Sequence, residues 1–359
     1  MQAGKLAGVG LALALCAYGP GASAQSSVTL FGGIDEGLTY VTNEGGGHNA
    51  LVGPAAAPDF FGVMGTEDLG GGYKAFFKLQ QGFSSNTGAS VVANDMFSWQ
   101  SYVGLTTPLG SASLGKQFDL VNDALEPNAN GVLQFSYYLY HPGNLDDAGW
   151  TSVNNAIKYT SPTVDGVTVS ALYGMDDGTT QLGRVLDFDV IYDQGPLRAS
   201  AVYSSWHDHQ LSLASKLGYT SFLGESLNNG ATFLAKDTNI YAVSARYKWP
   251  VVMVHGMFTH VTIDGYRGTA NMNTGELGVN VPTSAANAIT LGGFYSSLTG
   301  THYVEAGVGN LYSLSRRTLV YAQAVYEHAS GIGNASMALL TPSNTPSQAA
   351  FRIGIHHFF

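Results

Sequence analysis

The sequence predicts an all-β chain, a transmembrane antiparallel β-barrel of about sixteen strands, and three observations carry that prediction. The last residues, Ala350-Phe351-Arg352-Ile353-Gly354-Ile355-His356-His357-Phe358-Phe359, alternate apolar and more polar side chains and stop on an aromatic. Segments of about ten residues with period-two alternation recur along the chain, separated by alternating short and long connections. The composition, with 46 Gly, 20 Tyr and 17 Phe but only 11% charged residues, is rich in turn formers and interface aromatics. No apolar run of about 20 residues follows the N-terminal segment, which excludes a helical membrane protein.

At the N-terminus, Lys5 forms a short positive region, Leu6 to Tyr18 an apolar stretch, and Ala22-Ser23-Ala24 a small-residue cleavage site. Residues 1–24 are therefore expected to be a signal peptide and residues 25–359 the barrel. Cys16 falls inside the leader, after Leu15 rather than the small residue a lipoprotein signal needs, so the mature chain is expected to have no thiol chemistry. Candidate strands begin near Ser27, Asp59, Tyr73, Met96, Ser111, Asn154, Gly166, Arg184, Leu197, Thr238, Val251, Met272, Asn287, His302, Thr318 and Ala350. In the third, Tyr73, Ala75, Phe77 and Leu79 lie on one face and Lys74, Lys78 and Gln80 on the other. Near residue 240, Tyr241, Val243, Ala245 and Tyr247 oppose Ser244, Arg246 and Lys248; near 190, Leu186, Phe188 and Val190 oppose Asp187 and Asp189. Turn chemistry marks Gly70-Gly71-Gly72, Pro108-Leu109-Gly110, the stretch Pro162 to Gly166, Gln194-Gly195-Pro196 and Trp249-Pro250. Long polar connections are expected over 119–153, 207–237, 262–271 and 329–349, which puts the short turns in the periplasm and the long loops outside. In the terminal strand, Phe351, Ile353, Ile355 and Phe359 need an apolar medium on their face, and Phe359 is read as the membrane-assembly residue.

The formal net charge of −10 becomes one unit more negative once Lys5 leaves with the leader, and this argues against nucleic-acid binding. Other constellations are weaker. His207-Asp208-His209 has no Cys or Glu nearby and reads as a polar loop tip rather than a metal site. His255 and His260 are five apart on a strand, hence on opposite faces, and His356 and His357 also diverge. Gly70-Gly71-Gly72 lacks the following Lys-Ser/Thr of a phosphate cradle and reads as a turn. No cofactor or metal is expected. A barrel enzyme, such as a lipase or protease, would need a Ser or Asp paired with His at the rim, and nothing marks such a pair.

The stretch Gly65-Thr66-Glu67-Asp68-Leu69-Gly70-Gly71-Gly72-Tyr73-Lys74-Ala75, followed by Gln81-Gly82-Phe83, resembles the signature of Gram-negative trimeric porins of the β-proteobacterial type. Further blocks match in order: Ser27-Val28-Thr29-Leu30-Phe31-Gly32, Tyr102-Val103-Gly104-Leu105, Leu114-Gly115-Lys116-Gln117-Phe118-Asp119, Asn154-Asn155-Ala156-Ile157-Lys158-Tyr159-Thr160-Ser161-Pro162 and Leu314-Ser315-Arg316-Arg317-Thr318. The resemblance implies a sixteen-stranded homotrimeric barrel in the cell outer membrane, with a third loop, here 119–153, folded inward to narrow the pore. The implied function is passive diffusion of small hydrophilic solutes and ions, with outer-membrane lipid and two further copies as partners.

Departures from the family pattern fall on the expected pore wall. Phe60 and Met64 stand where relatives carry Arg, Ser152 replaces an Arg on the parity of Lys158, and the terminal Arg-His-Arg-Phe reads His356-His357-Phe358-Phe359. Trp99 replaces a further Arg, but alternation places it with Val103 and Leu105, so a bulge would be needed to aim it inward. The remaining inward candidates are Lys74, Lys78, Lys158, Arg198, Arg246 and Arg352 against Asp35, Asp187, Asp189, Glu305 and Glu327. Lys116 shares the parity of Leu114, which leaves its direction open. The inserted loop carries only acidic charges, Asp119, Asp123, Glu126, Asp146 and Asp147, with aromatics Phe135, Tyr137, Tyr138 and Tyr140. Loss of an Arg cluster removes an anion well, so the expectation is a cation-preferring or weakly selective pore with an aromatic constriction. The alternative within transport is an uptake channel for aromatic or other organic solutes.

Overall fold

The computed structural model describes residues 26–53, 56–176 and 183–359. The expected leader and Cys16 lie outside these residues. Sixteen strands close into one antiparallel barrel: Ser27–Glu44, Asp59–Gly70, Tyr73–Phe83, Gln100–Thr107, Gly110–Phe118, Ser152–Thr160, Val167–Gly174, Val185–Gln194, Leu197–Leu211, Phe233–Lys248, Met253–Gly265, Gly268–Pro282, Asn287–Leu298, Thr301–Ser313, Thr318–Gly331 and Ser347–Phe358. A short extra strand, Gly47–Val52, folds back on the outer half of the first.

Six expected starts, at Ser27, Asp59, Tyr73, Leu197, Asn287 and Thr318, coincide with the observed ones, and the others fall within five residues. Alternation located the strands. It failed where a strand rises beyond the bilayer: the long loop expected over 262–271 is absent. Thr262 pairs with Asn271 and Gly265 with Gly268, so both strands run on to a two-residue turn, Tyr266-Arg267. The outward row passes from Phe258 to Thr262 and Asp264, a change from apolar to polar that mimics a loop although the ladder continues.

Outward side chains such as Val28, Leu30, Leu38, Phe351, Ile353 and Ile355 are exposed on the barrel exterior, while Asp35, Thr39, Arg352 and His356 of the same two strands are buried inside. Hydrocarbon offers no hydrogen bonds, so an open sheet edge would leave a row of unpaired amides; closure removes that edge. The first and last strands form the seam, in register from Gly33 opposite Phe358 to Val41 opposite Ala350. Its final rung is reciprocal: Gly32 N–H donates to the Phe359 carbonyl (3.2 Å) and Phe359 N–H to the Gly32 carbonyl (3.0 Å). A Cβ on Gly32 would lie 2.4 Å from the Phe359 ring and 2.6 Å from the Phe60 carbonyl, so the terminal aromatic takes the space glycine leaves.

The loop between Phe118 and Ser152 fills part of the lumen. Asp119 caps its helix, Leu120–Leu125, by accepting from the Asn122 N–H (2.8 Å). Leu120, Val121, Ala124 and Leu125 are fully buried in one apolar cluster with Leu172, Val185, Val202 and Ala242 of the wall. Each such leucine contributes about 1.5–3 kcal/mol to holding the loop inside the barrel. Replacing Gly32 with leucine is expected to displace Phe359 at a cost of about 1–3 kcal/mol. The check is the temperature at which the heat-modifiable band converts to the unfolded one in detergent; an unchanged temperature contradicts the role given to this rung.

Candidate functional site

The inserted loop is stitched to one side of the lumen. Leu120 N–H donates to Asp187 (3.2 Å), Ser200 to the Ala124 carbonyl (2.8 Å), Arg246 to the Pro127 carbonyl (2.8 Å) and Asn130 N–H to Glu276 (2.8 Å). His255, on the inward face opposite to that of His260, reaches the Asn128 carbonyl (3.0 Å). At the far side of the lumen, Tyr138 donates to Thr39 (3.3 Å), and Phe135 packs edge-on against Tyr321 and His356. The loop thus covers the wall from Val185–Gln194 round to the seam. The start of the first strand and the second to fifth strands keep an uncovered face, with Met64 43% exposed and Lys78, Phe60 and Phe31 half-buried.

Several expected pore charges lie behind the loop. Arg352 and Asp35 form a buried ion pair (2.9 Å), completed by Arg352 to Tyr321 (2.7 Å) and Thr39 (2.8 Å) and by Tyr321 to Asp35 (2.8 Å). Asp187, Asp189, Glu305 and Glu327 all point inward and are buried, Glu305 directly opposite Glu327. His356 is buried as well, against Gly33 and the Phe358 ring. Inward parity was therefore legible, but exposure to the pore was not, because the covering loop comes from elsewhere in the chain.

One direction left open is resolved, and one residue lies off its expected face. Lys116 pairs with Ser101 on the outward row of Val103 and bonds Asp95 (3.0 Å), so it is not a lumen charge. Ser152 was placed with Lys158 by simple alternation, but Gly115 pairs with Ala156 and Gln117 with Val153, an extra residue marked by Asn155 at φ 49. That bulge flips the parity and leaves Ser152 opposite Phe118, its hydroxyl on the Trp99 carbonyl (2.7 Å). Trp99 lies just outside its strand, and its ring fills the space a Cβ on lumen-facing Gly82 would take.

Two of the cations at the open face, Lys158 and Arg198, are ion-paired. Lys158 holds Asp123 and lies 3.4 Å from the Phe118 carbonyl, while Lys78 sits 5.3 Å over the Phe31 ring. Glu126 accepts from the Trp150 indole and from Asn122 (3.2 Å). Arg198 bonds Asp193 (2.9 Å) and the Asp123 carbonyl (3.1 Å). Lys74, near the periplasmic end, is exposed, as is Phe358 on the lumen face of the seam. Between these charges lie aromatics: Phe60 is 6.2 Å from Phe31, 5.8 Å from Trp99 and 6.5 Å from Trp150. Burial and the neighbouring Asp147 and Asp187 push Asp119 well above the usual carboxylate range, and burial lifts Asp147 to about 7. The five acids of the loop therefore do not act as five fixed charges facing water.

A group that sequence reasoning missed anchors the loop. His141 Nδ1 lies 2.6 Å from Asp146 and Nε2 3.2 Å from Glu276, with Thr259 donating to Asp146 (2.7 Å). Burial opposes the imidazolium, but the two carboxylates outweigh it and hold His141 up at about 10. Asp146 is held below its ordinary value by His141 despite burial. The residues stand 5 and 135 positions apart in a polar background, so no local spacing marks them.

A closed sixteen-strand barrel with an outward apolar face, a polar interior and a loop folded into its lumen is the architecture of an outer-membrane porin. The chain belongs to the Gram-negative porin family, whose model matches residues 11–331. Outer membrane porin protein 32 of Delftia acidovorans is 27% identical over 369 residues, covering 97% of this chain and 99% of that protein. Among solved structures, the anion-selective porin from Comamonas acidovorans aligns with TM-score 0.76 at 23% identity, over 93% of this chain and 100% of that one. The trimer form of OmpT from Vibrio cholerae aligns with TM-score 0.71 at 15% identity, over 93% and 99%. The protein is thus a porin of the outer membrane of a Gram-negative bacterium.

The His141 anchor has a defined pH window. Because His141 is raised above its ordinary 6.5, its contribution is complete below that value and is lost as pH rises through about 10. Asp146, being depressed, contributes above its ordinary 3.8 and is lost as pH falls through its lower folded value. Open-channel current noise is expected to stay low at neutral pH and to grow above pH ~10. Substituting His141 with asparagine should bring that noise to neutral pH, since stripping a buried carboxylate of its partner costs about 3–5 kcal/mol. Equal noise in the variant and the native protein at pH 7 would remove the anchor from the account.

Proposed function

We propose that this porin is a weakly ion-selective diffusion channel for small hydrophilic solutes, with aromatic walls at its constriction, working as a homotrimer. The observation that carries the reading is the ion pair of Lys158 with Asp123 on the open face, where Lys78 lies over the Phe31 ring within the field of Asp123 and Glu126. An ion passing a narrow, partly dehydrated channel responds to the net field, and paired charges leave little of it. The positions where relatives carry Arg hold Phe60, Met64 and Phe358, which adds no anion well. The acids behind the loop, Asp35, Asp187, Asp189, Glu305 and Glu327, are buried and give little support to a strong cation preference. The trimer rests on the family and on the trimer form of the V. cholerae relative.

Reversal potentials of the reconstituted protein in a salt gradient test this. The native channel should reverse near zero, with conductance rising in steps of three. Lys158→Gln frees the Asp123 carboxylate and should shift permeability toward cations by up to about fivefold, as a unit charge at about 4 Å in water is worth about 1 kcal/mol. A clear anion preference of the native protein would overturn the assignment.

A further inference from the structure

Above the constriction lies a cavity of about 630 Å³ that the passage of ions does not require to be apolar. Its floor is aromatic: Trp99 and Trp150 meet edge-on at 4.3 Å, Tyr137 stacks on Tyr140 at 4.9 Å, and Tyr137 meets Trp150 edge-on at 5.3 Å. Met337 and Leu340, from the loop that follows Gly331, line it as well. Lys216, on a short helix, Leu213–Leu217, lines it too, its ammonium donating to the Gly143 carbonyl (3.2 Å). The Tyr140 hydroxyl is buried in this wall beside Tyr137. The cavity thus combines apolar ring surface with the exposed Lys216; Asp59 and His141 also line it, but Asp59 is held by the Asp35 and Ser85 N–H groups and His141 is clamped between Asp146 and Glu276.

Resting on the channel reading above, we propose that this vestibule is a binding subsite for a planar aromatic solute bearing one carboxylate, which it concentrates at the pore entrance. The ring packs on Trp99 and Trp150 in the offset or edge-on geometry aromatic pairs favour. The carboxylate meets Lys216. The volume is in the range of small-molecule sites, roughly 300–1,000 Å³. An aliphatic carboxylate keeps the charge contact and loses the stacking; a neutral aromatic keeps the stacking and loses the charge contact.

Benzoate is the probe. Added to the extracellular side of the reconstituted native protein, it should reduce the open-channel current and quench tryptophan emission, both saturably, where acetate and benzyl alcohol at equal concentration do so weakly. Trp150→Leu should weaken benzoate by about two- to tenfold, and Lys216→Gln, on an exposed helix surface, by about fivefold. Equal effects of benzoate and acetate on a conducting channel, or native-like benzoate binding in both variants, would overturn the subsite. A protein that conducts no ions would instead overturn the channel reading, and the tryptophan titration in detergent would still report on the subsite.

Discussion

A strand in hydrocarbon has no water to satisfy its amides, and the whole molecule is organised around that constraint. Sixteen strands each satisfy the backbone of two neighbours, which works only if the first and last also meet. Here they meet from Gly33 to Val41, and the ring finishes on the reciprocal Gly32–Phe359 rung, with the terminal aromatic in the gap left by glycine. Once the barrel is closed, alternation has a physical meaning: every second side chain faces lipid and the rest share a lumen.

A lumen of sixteen strands is too wide to sieve, so the inserted loop sets its cross-section. The loop is held by three kinds of interaction that differ in reach. Leu120 and Leu125 anchor one end by apolar burial; Asn128, Asn130 and Pro127 are fixed along the wall by hydrogen bonds, two at Asn128, three at Asn130 and one at Pro127; His141, Asp146 and Glu276 form a buried charged clamp farther on. The charged clamp is the costly part to break, because removing His141 leaves two buried carboxylates without a counter-charge. The covering loop also takes Asp35, Arg352, Asp187 and Glu305 out of water, so groups that face inward do not all face the pore.

What remains at the open face is a short wall of paired charges and aromatic rings. Phe31, Phe60 and Trp99 come from the barrel and Trp150 from the loop, so the aromatic cluster assembles from segments more than a hundred residues apart. The substitutions that remove arginine and those that add aromatics act at the same place. On the reading proposed above, they weaken the field that would select ions and supply a surface on which a flat organic solute can rest.

The strand positions, the closure on Phe359, and the inward parity of Lys78, Asp187, Arg198 and Arg352 were all determined by the sequence alone, because a barrel in lipid enforces period-two alternation along every strand. Where that alternation is interrupted, sequence misled: the bulge near Asn155 turned Ser152 away from Lys158, the irregular approach to the fourth strand brought Trp99 inward, and a polar outer row above the bilayer made a continuous hairpin look like a loop over 262–271. Which inward groups meet water was decided only by the tertiary structure, since the path of residues 119–151 depends on His141 finding Glu276 and on Tyr138 finding Thr39, contacts with no local signature. Parity is a property of one strand and can be read along it. Exposure in the pore belongs to the packed whole.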